Sequence, residues 1–452
     1  MIPLRLSEVA SMAGGRLIGP EAEARGLCLD TRKLEPGDLF VAIKGPRFDG
    51  HDFIKAAIKE GAAGAVAGEA WAKLRSNGAS GSIISVSDTL TALHRFAENY
   101  RSSFNVRMMA ITGTNGKTTT KEMIYQMASG SFRVLKNQGN LNNQYGLPLS
   151  LAGLGPGHQV AVMELGMSGF GEIALLCRLA RPEIGVITNV SEGHTQFLGD
   201  VRGVARAKAE LLDCLPSDGT AIINGDCDVL MEQTGRSRAR VTTFGLDRPA
   251  DVKAENVRTR VDGVSFTVDG EEFELKLSGR HNVYNALASI AACDLLGLPR
   301  RETSRRLAEM AAVPMRQEML RLGEIALIND AYNANPGSMR AALENLADVA
   351  GAGRRVAVLA DMLELGEIGP QRHREAGELA GRTAELVVAI GELAAYINEG
   401  ARSAGADSAH FRSNQEAIPF IKKSIRPGDT VLVKGSRGMR LEEVVEAIKG
   451  RG

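Results

Sequence analysis

The stretch Ala110-Ile-Thr-Gly-Thr-Asn-Gly-Lys-Thr-Thr-Thr-Lys-Glu-Met123 restricts this chain more than any other part of it. The apolar run Val106-Arg-Met-Met-Ala-Ile111 leads into it and a helix-forming run follows. A strand that ends in a glycine turn and opens directly into a helix leaves backbone N–H groups unpaired and pointing one way, which suits a polyphosphate. In that setting Lys117 reaches terminal phosphates and the Thr118 hydroxyl is available to Mg²⁺. Ile111 stands where the longer G-x-x-x-x-G-K-[ST] pattern has its first glycine, so the loop is the shorter G-T-N-G-K-T form. The competing reading is a glycine turn with an exposed lysine.

Around this loop the chain divides into three α/β units. Its 452 residues suggest two to four domains. With 51 glycines against 15 prolines, it has the profile of a protein with many tight strand-to-helix turns. Residues 1–85 alternate short patterns: Leu6 to Ala13 and His51 to Glu60 helical, Phe40-Val-Ala-Ile43 and Ala65-Val-Ala67 as strands. A helical stretch from Thr89 to Tyr100 places a boundary near 85–103. Over 86–312 the strands Val160 to Met163, Gly185 to Thr188 and Thr220 to Ile223 end in polar or glycine loops, a rhythm that predicts a mainly parallel sheet with ligands at its carboxyl edge. Residues 241–277 break the rhythm, with an Asp269-Gly270 turn that predicts a small antiparallel addition. After Pro314, strands at Ile325 to Ile328, Arg355 to Leu359, Leu386 to Ile390 and Thr430 to Val433 predict a third, doubly wound Rossmann-like domain over 313–452.

Lys+Arg and Asp+Glu are both 54, so no broad charge favours nucleic acid or an acidic membrane. Five scattered cysteines lack metal-ligand spacing and read as small hydrophobes in a reducing compartment. No leader pattern or long apolar run is present, and the expectation is a cytoplasmic monomer without membrane insertion.

Three residues form a candidate metal centre. Glu164 ends the strand beginning at Val160, where its carboxylate projects toward the phosphate loop, as Mg²⁺ beside phosphate oxygens requires; a helix N-terminal carboxylate is the alternative. His194 follows the strand from Ile184, although a lone histidine is more often structural. Lys208, in Gly203-Val-Ala-Arg-Ala-Lys-Ala-Glu-Leu-Leu212, lies on the apolar stripe with Val204, Ala205, Leu211 and Leu212. Burial there would favour a neutral amine, able to add CO₂ and become an anionic carbamate ligand. Snorkelling is the bland reading. Asn282 and Asn285 stand one turn apart in Gly279-Arg-His-Asn-Val-Tyr-Asn285 and suit an adenine edge or simple capping. Asp330, Tyr332, Asn333 and Asn335 crowd the turn Ile328-Asn-Asp-Ala-Tyr-Asn-Ala-Asn-Pro-Gly-Ser-Met339.

The run Thr112-Gly-Thr-Asn-Gly-Lys-Thr-Thr119 resembles the nucleotide loop of the Mur ligases and of the related folylpolyglutamate synthases, which make amide bonds with ATP. Ala207-Lys-Ala-Glu-Leu211, Arg280-His-Asn-Val-Tyr-Asn-Ala286 and Pro314-Met-Arg316 are similar to Mur segments too. The resemblance implies ATP held by Gly113, Thr114, Asn115, Gly116, Lys117, Thr118 and Thr119, with Asn282 on adenine and Arg316 on the γ-phosphate. It also implies Mg²⁺, two ions in all, on Thr118, Glu164, His194 and carbamylated Lys208, with catalysis by Lys117, Glu164, His194, Lys208 and Arg316. Ser191-Glu-Gly193 departs from the Gly-Pro-Ala more usual before the histidine. The Asp330-Ala-Tyr-Asn-Ala-Asn-Pro-Gly-Ser-Met339 motif resembles the branch that joins D-alanyl-D-alanine to UDP-N-acetylmuramoyl-tripeptide. By that likeness Asp330 and Tyr332 border the nucleotide and Asn333 and Asn335 the incoming dipeptide.

Residues 29–53 resemble the UDP-sugar-binding domain of these ligases, which folylpolyglutamate synthases lack. They imply Thr31 and Arg32 on the diphosphate and Lys44 and His51 near uridine. Asn140 and Asn143 resemble the segment contacting the muramoyl end, and Lys434, Ser436 and Arg437 could receive the dipeptide carboxylate. The expected reaction forms an acyl phosphate on the tripeptide and releases ADP and phosphate. Another Mur-type amino-acid ligase, a phosphotransferase and a catalytically silent UDP-sugar-binding regulator are the alternatives.

Overall fold

The computed structural model describes residues 1–46, 48–75, 81–193, 195–260, 263–349 and 353–450. Its centre is a seven-stranded sheet in the order Val252–Lys253, Arg240–Gly245, Thr220–Asn224, Ile184–Ile187, Arg107–Thr112, Val160–Glu164, Val134–Lys136. Every pair is parallel. Their near-continuous apolar runs follow from burial on both faces; Met108 to Ile111 and Val160 to Met163 are 0% exposed. Successive strands depart to opposite sides of Arg107–Thr112, so a crevice opens at its carboxyl end, where the glycine loop lies.

The predicted antiparallel addition is shorter than the sequence suggested. Arg240–Gly245 and Val252–Lys253 extend the parallel sheet, and only Glu255–Arg260, Gly263–Val268 and Glu271–Leu275 form an antiparallel sheet. The turn between the last two has φ +47° at Asp269 and +83° at Gly270, the left-handed pair a two-residue hairpin needs.

The first lobe is a five-stranded sheet, Arg16–Ile18, Ile83–Val86, Gly64–Gly68, Asp38–Val41, Gly26–Cys28, antiparallel only at the first pair. The helix Thr89–Ser102 joins it to the centre: Phe96 and Tyr100 are buried in one apolar cluster with Leu6 and Val9 on one side and Leu147 and Leu151 on the other. Tyr100 Oη accepts from Ile2 N (3.1 Å) and donates to Leu154 O (2.8 Å), crossing the same seam.

The third lobe has six strands, in the order Glu318–Leu322, Ile325–Asp330, Thr430–Lys434, Arg355–Ala360, Leu386–Ile390, Asp407–Phe411, with the first antiparallel to its neighbour. The two outermost strands escaped the sequence reading because edge strands carry polar and half-buried residues, as in Asp407-Ser-Ala-His-Phe411. No helix among the described residues is long and apolar enough to cross a membrane.

Candidate active site

The glycine loop packs against the end of the strand Ile184–Ile187 and the start of the helix Arg280–Leu295. Gly113 has φ +147° and Gly116 φ +82°, and a Cβ would fall 1.9 Å from Thr188 Oγ1 at the first and 2.1 Å from Asn285 Oδ1 at the second. Only glycine fits either place. Thr188 Oγ1 donates to Asn115 O (2.6 Å), Asn115 N donates to Asn189 Oδ1 (3.0 Å), and Thr114 Oγ1 accepts from Ser191 N (3.1 Å). The unusual Ser191-Glu-Gly193 segment is thus bonded directly to the loop.

Beside the loop is a cavity of about 570 Å³, lined by the central and third lobes. It brings together Thr114, Asn115, Gly116, Lys117, Thr118, Thr119, Glu164, Lys208, Asn282 and Arg316, with Asn140, Asn143, Asp330, Tyr332, Asn333, Asn335 and Lys434. Gly113 does not line it; its carbonyl accepts from Lys117 Nζ. His194 lies outside the described residues.

Glu164 is clamped from all sides. Thr118 Oγ1 donates to its Oε2 at 2.7 Å and Asn142 Nδ2 to its Oε1 at 2.8 Å. The Asn137 side chain binds its backbone in both directions, each at 3.0 Å. Lys121, 1% exposed, places Nζ 4.0 Å from Oε2 and donates to Asn137 O. Burial alone would raise this carboxyl's pKa, but Lys117, then Arg316, Thr118 and Lys121, outweigh it and hold the pKa low. A hydroxyl and an ionised carboxylate side by side at the phosphate loop fit Mg²⁺, which takes one or two protein oxygens and fills its octahedron with phosphate and water. Among the described residues no group of three His, Cys, Asp or Glu side chains forms a metal cluster, so a second ion would depend on further ligands.

Lys117 donates from Nζ to Gly113 O (2.9 Å) and Thr114 O (3.2 Å), folded back onto its own loop. Burial lowers its pKa, opposed by Glu164 and aided by Arg316. Lys208 is 2% exposed near the end of the helix Val201–Lys208. Burial first, and the charge of Lys117 second, push its amine pKa well below the usual lysine range, the direction that carbamate formation needs.

On the opposite wall Arg316 lies over the Tyr332 ring, 4.2 Å from its centroid. Asn282 donates to Ser278 O (2.8 Å) and accepts from Asn285 Nδ2 (3.2 Å), so both asparagines are oriented by one another as well as by the helix start.

Several expectations change here. Lys434 does not offer a free ammonium to a dipeptide carboxylate: it is buried, donating to Asp330 Oδ2 at 2.6 Å and to Asn333 O at 3.0 Å. Ser436 is 3% exposed and does not line the cavity; its hydroxyl donates to Ala334 O (3.3 Å) and accepts from Leu363 N (2.9 Å). Asn335 pairs its amide with that of Asn115 at 2.7 and 3.2 Å and caps its own helix through Ser338, so it fastens the third lobe to the phosphate loop. An ion pair between Glu192 and Arg372 makes a second fastening.

The first-lobe residues stand away from this cavity, so its walls come from two lobes rather than three. Arg32 folds onto Asp30 at 2.6 Å, and that hydrogen bond above all holds the Asp30 carboxyl at about 2. Thr31 shares the same short turn, Thr31–Lys33. His51 accepts from Gly68 N at Nε2 (2.9 Å) and therefore donates from Nδ1 to Asp49 Oδ1 (2.6 Å), which commits both ring nitrogens. Lys44 is exposed, and its backbone bridges that of Asp49.

Sequence reasoning missed Asn137, Asn142, Lys121, His281 and Gln317. Asn137 and Asn142 stood inside a segment already singled out; His281 and Gln317 sat beside chosen residues, Asn282 and Arg316. Nothing in spacing marks Lys121, whose partners come from strand ends elsewhere.

Three family descriptions match the chain: Mur ligase family, catalytic domain, over residues 23–101; Mur ligase middle domain over 111–293; and Mur ligase, glutamate ligase domain, over 315–437. The UDP-N-acetylmuramoyl-tripeptide–D-alanyl-D-alanine ligase of Bacillus subtilis is 38% identical, over 99% of this chain and 98% of its own. A crystal structure of MurF from Acinetobacter baumannii superposes with a TM-score of 0.91 at 30% identity, covering 99% of each chain. That of the Thermotoga maritima MurF ligase in complex with ADP gives 0.82 at 28%, covering 95% of this chain and 98% of the other. The three-lobed fold agrees with these likenesses: the chain belongs to the Mur ligase family, among its tripeptide–D-alanyl-D-alanine ligases.

Proposed function

We propose that this chain uses ATP to join D-alanyl-D-alanine to UDP-N-acetylmuramoyl-tripeptide in the cytoplasm, releasing ADP and phosphate. One observation carries the chemistry: Lys117, Glu164, Lys208 and Arg316 line a single cavity although they come from four separate segments and two lobes. The glycine loop takes the triphosphate, with backbone N–H groups at the start of Lys117–Ala128 directed at it. Thr118 and Glu164 would hold Mg²⁺, and Lys208 as a carbamate a second ion; when bound, the ions offset charge on the phosphates. Lys117 leaves its loop carbonyls for the γ-phosphate, and Arg316 meets that phosphate from the opposite wall.

The tripeptide carboxylate then attacks the γ-phosphorus, ADP leaves, and the acyl phosphate is attacked by the dipeptide amine, which expels phosphate. Lys117 and Arg316 counter the charge spreading over the transferred group. The Asn115–Asn335 and Glu192–Arg372 contacts keep the third lobe against the loop and so exclude water from the acyl phosphate. The first lobe, with Thr31, Arg32 and Lys44, takes the UDP end, so the peptide spans from there to the cavity. Arg32 must release Asp30 to do so.

The test is purified enzyme with ATP, Mg²⁺, each UDP-linked tripeptide and D-alanyl-D-alanine, followed by product mass. A UDP-pentapeptide that requires the dipeptide supports the reading; a phosphorylated tripeptide as the final product, or no turnover, rejects it.

A further inference from the structure

Arg316 is flanked by two side-chain-bearing residues in the left-handed region: Met315 has φ +60° and Gln317 φ +52°. Residues other than glycine hold such angles only where their surroundings over-determine them. Here the restraints are visible. Tyr332 N donates to Met315 O at 3.2 Å, Met315 N to Glu318 Oε2 at 3.1 Å, and Gln317 N to Asp330 Oδ1 at 3.3 Å.

The Gln317 side chain adds the strongest tie. Its Nε2 donates to Asp330 Oδ2 at 2.6 Å and its Oε1 accepts from Asn345 Nδ2 at 2.6 Å. Asp330 ends the strand Ile325–Asp330 and Asn345 lies in the helix Pro336–Val349, so one amide fixes the turn against both layers of the third lobe. All three side chains are buried, Asn345 at 1% exposure. The Asn345 Oδ1 atom has no hydrogen-bond partner among the described residues. That buried amide gains its bond only by facing Gln317.

Gln317 borders the same cavity, but both hydrogen-bonding ends of its amide are used inside the third lobe, while the adjacent guanidinium lies over Tyr332 at the cavity wall. Backbone strain concentrated on either side of one cavity-facing cation, and relieved by no glycine, orients that cation before the triphosphate arrives. We infer that Gln317 is a positioning residue of the reaction, acting through Arg316. The inference rests on the reading of Arg316 as the γ-phosphate contact.

The experiment is steady-state kinetics with ATP varied and both peptides saturating, on Gln317→Met, Gln317→Glu, Arg316→Ala and the Arg316→Ala combination with each, with thermal melts alongside. Gln317→Met keeps the volume and removes the amide; Gln317→Glu keeps the shape and sets a carboxylate against Asp330. Each should lower kcat by about 10- to 100-fold, the scale of a small misplacement. Each double variant should be no slower than Arg316→Ala alone. If Gln317→Met runs at the wild-type rate, or the double variants lose the full product of the single factors, the inference is overturned and the proposed function stands. If Arg316→Ala itself runs at the wild-type rate, the reading of Arg316 fails and takes Gln317 with it. A variant whose lower rate only tracks a lower melting temperature, with additive doubles, also counts against the inference.

Discussion

The two walls of the cavity use their polar groups in opposite ways. On the central wall, Lys117 rests on two carbonyls of its own loop and Lys208 is buried with its amine held toward neutrality. On the third-lobe wall, Asp330, Lys434, Gln317 and Asn345 form one buried network in which Asp330, Lys434 and Gln317 are bonded side chain to side chain and Asn345 joins through its Nδ2. The difference separates two kinds of polar residue at the cavity. Lys117 is held only by backbone carbonyls of its own loop, whereas Asp330, Lys434 and Gln317 spend their side-chain hydrogen bonds within the lobe that presents Arg316 and Tyr332.

Substitution should expose this contrast. The largest effect is expected for Lys208→Ala, which should lose activity on the order of 100- to 1000-fold, as when a group offsetting transition-state charge is removed. Short carboxylic acids should restore part of that activity by entering as the missing anion. Full activity without rescue would remove Lys208 from the central wall's machinery. A loss of fold is expected next, from the third-lobe wall: Lys434→Met leaves Asp330 buried without its cation, a change that costs about 3–5 kcal/mol. Urea denaturation should show it, and Asp330→Asn combined with Lys434→Met should recover much of the loss. If Lys434→Met is as stable as the parent but fails only in dipeptide KM, the lysine is a ligand group and the contrast breaks.

The smallest effect is a pH dependence at the junction of the walls. Burial holds the His281 imidazole down to about 4, with Asp330 opposing and Lys434 assisting. An unfolded histidine takes its proton near pH 6.5. Between about 6.5 and 4 the unfolded chain therefore binds a proton that the folded chain does not, and stability falls as pH drops through that window. His281→Gln should flatten this part of the stability curve; an unchanged slope would mean that His281 is protonated in the fold.

The sequence revealed most where local pattern and chemistry coincide. The glycine loop, the parallel strands around it and the Asp269-Gly270 hairpin are all written in short range, through turn residues and runs of buried apolar side chains. Edge strands such as Glu318–Leu322 were hidden because one exposed side dilutes the pattern. Lys208 was found from its place on an apolar helix face, which is a local property. Lys434 and Asn335 were read as ligand groups because nothing local reveals a partner 104 or 220 residues away in the chain. The partner of His51 Nε2 is hidden in the same way, since Gly68 N stands 17 residues on.

In the proposed reaction the tripeptide carboxylate meets the triphosphate in the cavity between Lys117 and Arg316. Synthesis with ¹⁸O in that carboxylate tests it most directly, by mass analysis of the released phosphate. One ¹⁸O atom transferred per amide bond formed is the predicted result. Unlabelled phosphate alongside full pentapeptide yield would contradict the account.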